Sequence, residues 1–345
     1  MQLVAECGPC EGQLTYAHQC VEALAPFAKH VVMKVQWYNA DTLTTHHAAR
    51  YDSTDRRSST QTQYEMFSNA LPYSAWREVR DHADSVNLDF FPTVFDLAAV
   101  DAAVTMGVGR LKIASGDITY RQLIQYAARY ANHLVISTGA STADEIQRAV
   151  EWAGGRSSLT LLGCHLAYPT YMLDGSFGRI STLRRLFPPP ISIGFSDHTP
   201  GIQSLPTIGL LNAAMVEKHF SLLGPGYGGD HEFAITSADL STAVGILDTL
   251  EALRSGTSLD PTLAEQPALI GARRSVVAIV DIPRGTRITI DMVAILRPGT
   301  GVPPYEIDRV VATKGKGFTA FVDIAAGTPI QAQWVGLMGA TLTVE

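Results

Sequence analysis

Eight short apolar runs, each closing on a polar or ionisable residue, recur along the first 220 residues and leave little freedom in the choice of fold. They occupy 3–6, 31–36, 90–93, 111–115, 134–138, 159–164, 191–196 and 214–219, and they are rich in β-branched side chains. Between them lie stretches with helical spacing, at 16–28, 73–83, 100–106, 118–130, 143–153 and 180–186. Strand and helix in alternation predict a parallel sheet, because a parallel pair needs a crossover long enough to hold a helix. Eight such units in about 250 residues predict an α/β fold, a (β/α)8 barrel of the TIM type.

A barrel of this kind carries its chemistry where strands end, on the C-terminal face. The predicted ends bear Glu6; Lys34 and Gln36; Thr93; Lys112 and Ser115; Ser137; Cys164 and His165; Ser196, Asp197 and His198; and Glu217, Lys218 and His219. Every end carries a group that can ionise, donate a hydrogen bond or ligate. Lys34 and Lys112, with Thr93, Ser115, Ser137 and Ser196, place two cations and four hydroxyls around one point. That set suits a ligand bearing both phosphate and carboxylate. His198 and His219 end adjacent strands, and two imidazoles converging there can ligate a divalent ion with positions left for water and substrate. Asp230 and His231, on the loop that follows, are further candidates. Glu6 and Glu217 suit acid/base or substrate-orienting roles, or else a buried salt bridge to Lys34 or Lys218.

The chain is 46% hydrophobic and 17% charged, the balance of a globular protein with a large core. Its net charge of −7 is spread along the sequence, so neither nucleic acid nor an acidic membrane surface is an expected partner. The longest charge-free apolar stretch, about 199–216, is broken by Pro200, Gly201, Gln203, Pro206 and Asn212, which argues against a membrane span. No secretory leader is read at the start, and four cysteines make no disulfide framework; a reducing cytoplasm is the expected compartment. Cys7 and Cys10 form a CxxC in a Gly-Pro turn, without the context of a redox or zinc motif, and a structural role is expected.

After a helical stretch at 240–253 the chain breaks over the polar, proline-bearing segment 255–267, and its character changes to short strands with Gly and Pro turns. Two segments there echo each other 42 residues apart, AIVDIPRGTRITIDMV from Ala278 and AFVDIAAGTPIQAQWV from Ala320. They predict a small β-rich domain with internal pseudo-symmetry. The division expected is a barrel over 1–258, a linker over 259–273 and a second domain over 274–345.

The motifs AECG, MKVQ, FPTVFD, LKIASGD, VISTGAS, GFSDHTPG and VEKHF occur in the order and spacing of the sialic acid synthases, and the chain resembles that family over nearly its whole length. From about Ser275 it resembles the antifreeze-like (SAF) domain these enzymes carry, with RPGTG at 297–301 matching that domain's motif. The resemblance implies a TIM barrel followed by a SAF domain, in a domain-swapped homodimer. It implies a divalent ion on His198 and His219, Mn2+ in first place and Mg2+ or Co2+ as alternatives. Phosphoenolpyruvate would lie on Lys34, Thr93, Lys112, Ser115, Ser137 and Ser196. Glu6, Gln36, Glu217 and Asp230 would face the reaction, Tyr168 the acceptor, and Arg297 would reach the acceptor in the partner subunit. The implied reaction condenses phosphoenolpyruvate with the aldehyde of an open-chain sugar, giving a 2-keto-3-deoxy acid and phosphate.

The sequence departs from the family pattern on the acceptor side. PCEG at 9–12, GCHLAYP at 163–169, GYGGDH at 226–231 and the stretch 42–59, with His46, His47, Arg56 and Arg57, are all unlike their usual counterparts. An acceptor other than N-acetylmannosamine is therefore expected. The alternatives are another phosphoenolpyruvate-dependent 3-deoxy-ulosonate synthase, a lysine Schiff-base aldolase acting through Lys112, and, from a different class, a non-catalytic sugar-binding relative.

Overall fold

A computed structural model describes residues 1–48, 62–154, 158–227, 229–256, 258–311 and 318–335. Eight parallel strands close into a barrel in sequence order: β1 Gln2–Glu6, β2 Val31–Trp37, β3 Phe90–Val94, β4 Arg110–Ile113, β5 His133–Ser137, β6 Leu159–Cys164, β7 Ser192–Asp197 and β8 Met215–His219. Ring closure pairs β1 with β8, setting Glu6 beside His219, while β1 against β2 sets Glu6 beside Lys34. Parallel strands covered on both faces read as nearly continuous apolar runs, which is why they stand out in the sequence.

Some of the helices start where the chain supplies a cap. Asp96 accepts from the Ala99 amide at 2.7 Å and starts the helix Leu97–Thr105 three residues earlier than its apolar spacing indicated. A reciprocal Thr142–Glu145 capping box opens Ala143–Trp152. On the β2 and β3 side lie α1 (Leu14–Leu24), α2 (Ala40–Leu43), α3 (Gln63–Phe67) and α4 (Trp76–Ser85). Behind β2, the buried rings of Trp37 and Trp76 sit 6.2 Å apart. Truncating either to alanine would cost several kcal/mol, about 3–5 by precedent.

The first compact unit is Met1–Gly256 and the second Thr257–Glu345. The second has its own core, including Val276, Ile282, Ile288, Ile324 and Ile330. Its two-stranded sheet pairs β9 (Ser275–Ala278) with β10 (Val293–Leu296). Within the segment 259–273 lies a helix, Gln266–Gly271, and the Ile270 carbonyl there accepts from the Gly299 amide at 2.8 Å. The sequence repeat is a physical pseudo-two-fold. Ile282 and Ile324 exchange backbone hydrogen bonds of 2.8 and 2.9 Å. Asp281 accepts from the Ala326 amide and Asp323 from the Arg284 amide, the same contact made twice, 42 positions apart. Among the described residues no helix is long and apolar enough to cross a membrane.

Candidate active site

The strand ends open into one cavity of about 800 Å3, and side-chain alternation decides which groups face it. Along β8, Glu217 and His219 line the cavity while Lys218, between them, does not. Lys218 is buried against Asp197, at 2.7 Å, and the Thr199 carbonyl, at 2.7 Å. Asp197 also accepts from Ser204 and Thr199, so it braces the β7–β8 pair and does not line the cavity. The expected partners of the glutamates are corrected in one respect: Glu6 pairs with Lys34, whereas Glu217 pairs with Lys112 and not with Lys218.

Two lysines and two glutamates, each no more than 5% exposed, form the floor. Lys34 also approaches Glu217 at 3.7 Å. The Gly8 amide at 2.7 Å and the Gln36 side chain at 3.1 Å donate to Glu6 Oε1, and Ser196 Oγ donates to Glu217 Oε1 at 3.1 Å. Burial works to raise the Glu217 pKa, but the Lys112 and Lys34 charges overcome it and hold this carboxyl well below the usual range. Burial pulls Lys34 down to about 7. Three buried atoms of this floor lack a hydrogen-bond partner: Thr93 Oγ1, Ser137 Oγ and Glu217 Oε2. Orphaned polar atoms are costly in an apolar interior, and the two hydroxyls among them, beside two ammonium groups, suit a polar, anionic ligand. Ser115 lines the same cavity, its Oγ accepting from the Gly139 amide at 2.9 Å.

Above the floor stand His198 and His219, with ring centroids 5.3 Å apart. His198 Nδ1 meets the His165 carbonyl oxygen at 2.6 Å, and a carbonyl can only accept, so the proton is on Nδ1. His219 Nδ1 meets Asp230 Oδ2 at 3.2 Å and donates in the same way. Both Nε2 lone pairs are left for a ligand, the tautomer that an outer partner imposes on metal-binding imidazoles. Burial takes the His198 pKa down to about 3, which keeps that ring neutral. No group of three His, Cys, Asp or Glu side chains that would hold a metal ion occurs among the described residues. Two imidazole nitrogens are too few donors for a closed structural site, and would leave most positions of any ion to water or substrate. Tyr168, with its ring 4.3 Å from that of His198, and Phe233, 4.9 Å from that of His219, wall the pair. Were a divalent ion held on these two rings, Asp230→Asn would weaken its affinity by roughly 10–100-fold, measurable by calorimetry with Mn2+.

The structure thus brings Glu6, Lys34, Gln36, Thr93, Lys112, Ser115, Ser137, Tyr168, Ser196, His198, Glu217, His219 and Asp230 to one site; of these, Glu6 is joined to the cavity through its partners Lys34 and Gln36, and the others line it directly. Arg297 belongs to the second unit, directly after β10. The His165 ring accepts from the Ser176 amide, so its contribution to the site is its backbone carbonyl. All four cysteines are free and buried. Arg56 and Arg57 lie outside the described residues.

Two features were missed from sequence. Asp117 lines the cavity with its pKa raised to about 6 by burial, which suits proton exchange near neutrality. Its signal lay in the motif LKIASGD, which runs two residues past Ser115. The second is a strut across the mouth: Ser221 Oγ accepts from the Leu223 and Gly224 amides and meets His231 Nδ1 at 2.7 Å, and His231 Nε2 meets Glu11 at 3.0 Å.

The profile of the NeuB family matches residues 21–257, and that of the SAF domain matches residues 273–335. The N,N'-diacetyllegionaminic acid synthase of Legionella pneumophila is 32% identical, over 95% of this chain and 92% of that protein. Among solved structures, the N-acetylneuraminic acid (sialic acid) synthetase from Leptospira borgpetersenii, in complex with citrate, is 26% identical with a TM-score of 0.67, covering 77% of this chain and 89% of that one. A spore coat polysaccharide biosynthesis protein E from Chromobacterium violaceum shares the fold over 97% of this chain and 99% of that one, with a TM-score of 0.78 at 22% identity.

Proposed function

The chain belongs to the NeuB family, and on that premise we propose that it condenses phosphoenolpyruvate with the aldehyde of an open-chain sugar other than N-acetylmannosamine. The products are a 2-keto-3-deoxy acid and phosphate. The observation that carries the reading is the floor, where two buried ammonium groups stand among three hydrogen-bonding atoms without partners. Phosphate and carboxylate of one small ligand would accept from both ammonium groups and from the Thr93 and Ser137 hydroxyls.

Phosphoenolpyruvate binds on Lys34 and Lys112, with Thr93, Ser115, Ser137 and Ser196 supplying hydroxyls to its oxygens. Its anionic groups take over part of the neutralisation that Glu6 and Glu217 provide in the free site. A divalent ion on His198 and His219, Mn2+ in first place, supplies polarisation of the acceptor carbonyl when bound. Carbon 3 of phosphoenolpyruvate then forms the new bond to the aldehyde carbon, whose oxygen takes up a proton. Water adds at carbon 2 and loses a proton, and the resulting tetrahedral centre expels phosphate. Asp117, with its pKa raised to about 6, is placed to hold or release these protons near neutral pH. Tyr168 and Phe233 limit water around the aldehyde.

The altered acceptor rests on where the unusual segments fall. Pro9, Glu11, Gly12, Leu166, Gly229, Asp230 and His231 all line the cavity. The assembly is proposed to be a homodimer in which the second domain lends Arg297 to the neighbouring subunit's acceptor. The proposed compartment is the cytoplasm, consistent with four free cysteines.

The reading predicts Mn2+-dependent phosphate release that requires both phosphoenolpyruvate and an aldose, and is lost on adding EDTA. Absence of phosphoenolpyruvate binding would overturn it. It also fixes a pH dependence. In the free site Lys34 loses its proton near pH 7, and the bound anion favours the protonated form. Binding therefore takes up a proton above pH 7, and affinity should weaken as pH rises, approaching tenfold per unit. Calorimetry in buffers of different ionisation heat measures the uptake. Lys34→Arg, which stays charged, should flatten the profile.

A further inference from the structure

The CxxC after the first strand acquires a third thiol once the barrel is folded. The Cys10 amide donates to the Cys7 carbonyl at 3.2 Å, closing a turn through Gly8, at φ +59°, and Pro9. A turn of that kind keeps its first and last Cα within about 7 Å. Cys20 comes to it from α1, one helical turn after Tyr16 and, like it, buried. Its thiol lies within hydrogen-bonding reach of those of Cys10 and Cys7. The three are 6%, 1% and 0% exposed for Cys7, Cys10 and Cys20. They are alike in type and unlike in state. Burial pushes the Cys7 and Cys10 thiols up, whereas hydrogen bonds from Cys10 and Cys7 hold Cys20 well below the usual thiol range.

The backbone of the same turn is strained. Cys10, Glu11 and Gly12 follow one another at φ of 51°, 55° and 64°, a left-handed run that non-glycine residues keep only when neighbours hold them. The holding contacts come from outside the turn. Asn69 Nδ2 donates to the Glu11 carbonyl at 3.0 Å, and the Glu11 carboxylate meets His231 Nε2 at 3.0 Å. Pro9, Glu11 and Gly12 line the cavity, so the thiols belong to the segment that forms its rim.

We propose that Cys7, Cys10 and Cys20 form a peroxide-responsive thiol site, in which Cys20 is the attacking sulfur and the CxxC turn supplies the thiol that closes a disulfide. The Cys20 thiolate attacks one oxygen of hydrogen peroxide. A sulfur–oxygen bond forms, the oxygen–oxygen bond breaks, and hydroxide leaves and takes up a proton. The sulfur of Cys10 or Cys7 then attacks the Cys20 sulfur. The disulfide forms, the sulfur–oxygen bond breaks, and the oxygen leaves as water with the proton of the second thiol. Two thiols together lose two electrons, and one peroxide becomes two waters. Bonding the turn to α1 competes with the contacts that hold its strained run, and Glu11, next to Cys10, is released from His231. The inference is independent of the synthase reading, since it uses no residue assigned to phosphoenolpyruvate or metal.

The test treats the reduced full chain with hydrogen peroxide, digests it without reductant and maps it by mass spectrometry. The expected result is a loss of two hydrogens and one disulfide joining Cys20 to Cys7 or Cys10, reversed by dithiothreitol. Cys164, free and buried on β6, is the internal control and should still be reduced when that bond has formed. Cys20→Ser should leave Cys7 and Cys10 reduced under the same exposure. Amide hydrogen exchange over 229–234 should quicken on oxidation, because His231 loses its contact with Glu11. A Cys7–Cys10 bond with Cys20 free, oxidation of Cys164 as early as Cys20, or no disulfide at all overturns the proposal. A Cys20 disulfide with unchanged exchange over 229–234 overturns the coupling to the rim.

Discussion

Lys112→Met is expected to abolish turnover, lowering kcat/KM by at least roughly a thousandfold, and to destabilise the fold by about 3 kcal/mol. The two effects have separate causes. Activity falls because one of the two ammonium groups proposed to hold phosphoenolpyruvate is gone. Stability falls because Glu217, 2% exposed, keeps its charge in the interior with the more distant Lys34, at 3.7 Å, as its nearest remaining lysine. Its pKa must then rise, so the variant should regain part of its stability as pH falls and Glu217 takes up a proton. The double variant Lys112→Met with Glu217→Leu separates the causes. It removes the orphaned charge and should recover most of the lost stability in denaturant titrations, yet remain inactive. A double variant as unstable as the single one would show that the ion pair is not what holds this floor.

The second large effect is expected at the imidazoles. His219→Gln removes one of the two imidazoles proposed to hold a divalent ion, and a site with two protein donors would not keep its ion after losing one. Mn2+ affinity should fall at least roughly a hundredfold, with kcat/KM down by about a thousandfold or more. Lys34, Thr93, Lys112 and Ser137 come from β2 to β5, away from β8, so the Kd of phosphoenolpyruvate measured without metal should hardly change. The pairing of lost metal with retained phosphoenolpyruvate distinguishes the assigned role from general disruption. If His219→Gln bound Mn2+ as tightly as the parent, the ion would have to sit elsewhere.

The barrel was legible because its signal is physical and local. A buried parallel strand must be apolar along its length, and the chain must turn polar where it leaves the sheet, so eight runs and their ends could be read directly. Boundaries slipped where capping overrode periodicity, as Asp96 does at Leu97–Thr105. Pairing was legible for Lys34 and not for Lys112 or Lys218, because it depends on which face of a strand a side chain takes and on register around a closed ring. The period of two along β8 did contain the answer, since Glu217 and His219 must share a face that Lys218 cannot. The same alternation turns Asp197 away from the cavity that Ser196 and His198 line. Asp117 went unread because the expectation stopped at the strand end, and its chemistry arises from burial in the turn that follows.

The strut of Glu11, His231 and Ser221 shows what sequence spacing alone cannot supply. These residues come from the loops after β1 and β8, which adjoin only because the barrel closes. His231 is held at both ring nitrogens, and Asp230, its neighbour in the chain, is the group that orients His219. The unusual loop sequences are therefore coupled to the imidazole pair through one residue.

The most direct test of the proposed chemistry is turnover in 18O-labelled water with phosphoenolpyruvate, Mn2+ and the aldose panel, followed by mass spectrometry of both products. Addition of water at carbon 2 followed by loss of phosphate breaks the carbon–oxygen bond. The account predicts released phosphate free of solvent oxygen, together with an acid heavier than the aldose by the pyruvate unit. Solvent oxygen in the phosphate, with pyruvate as the only other product, would mean that the chain cleaves the phosphorus–oxygen bond and would contradict it.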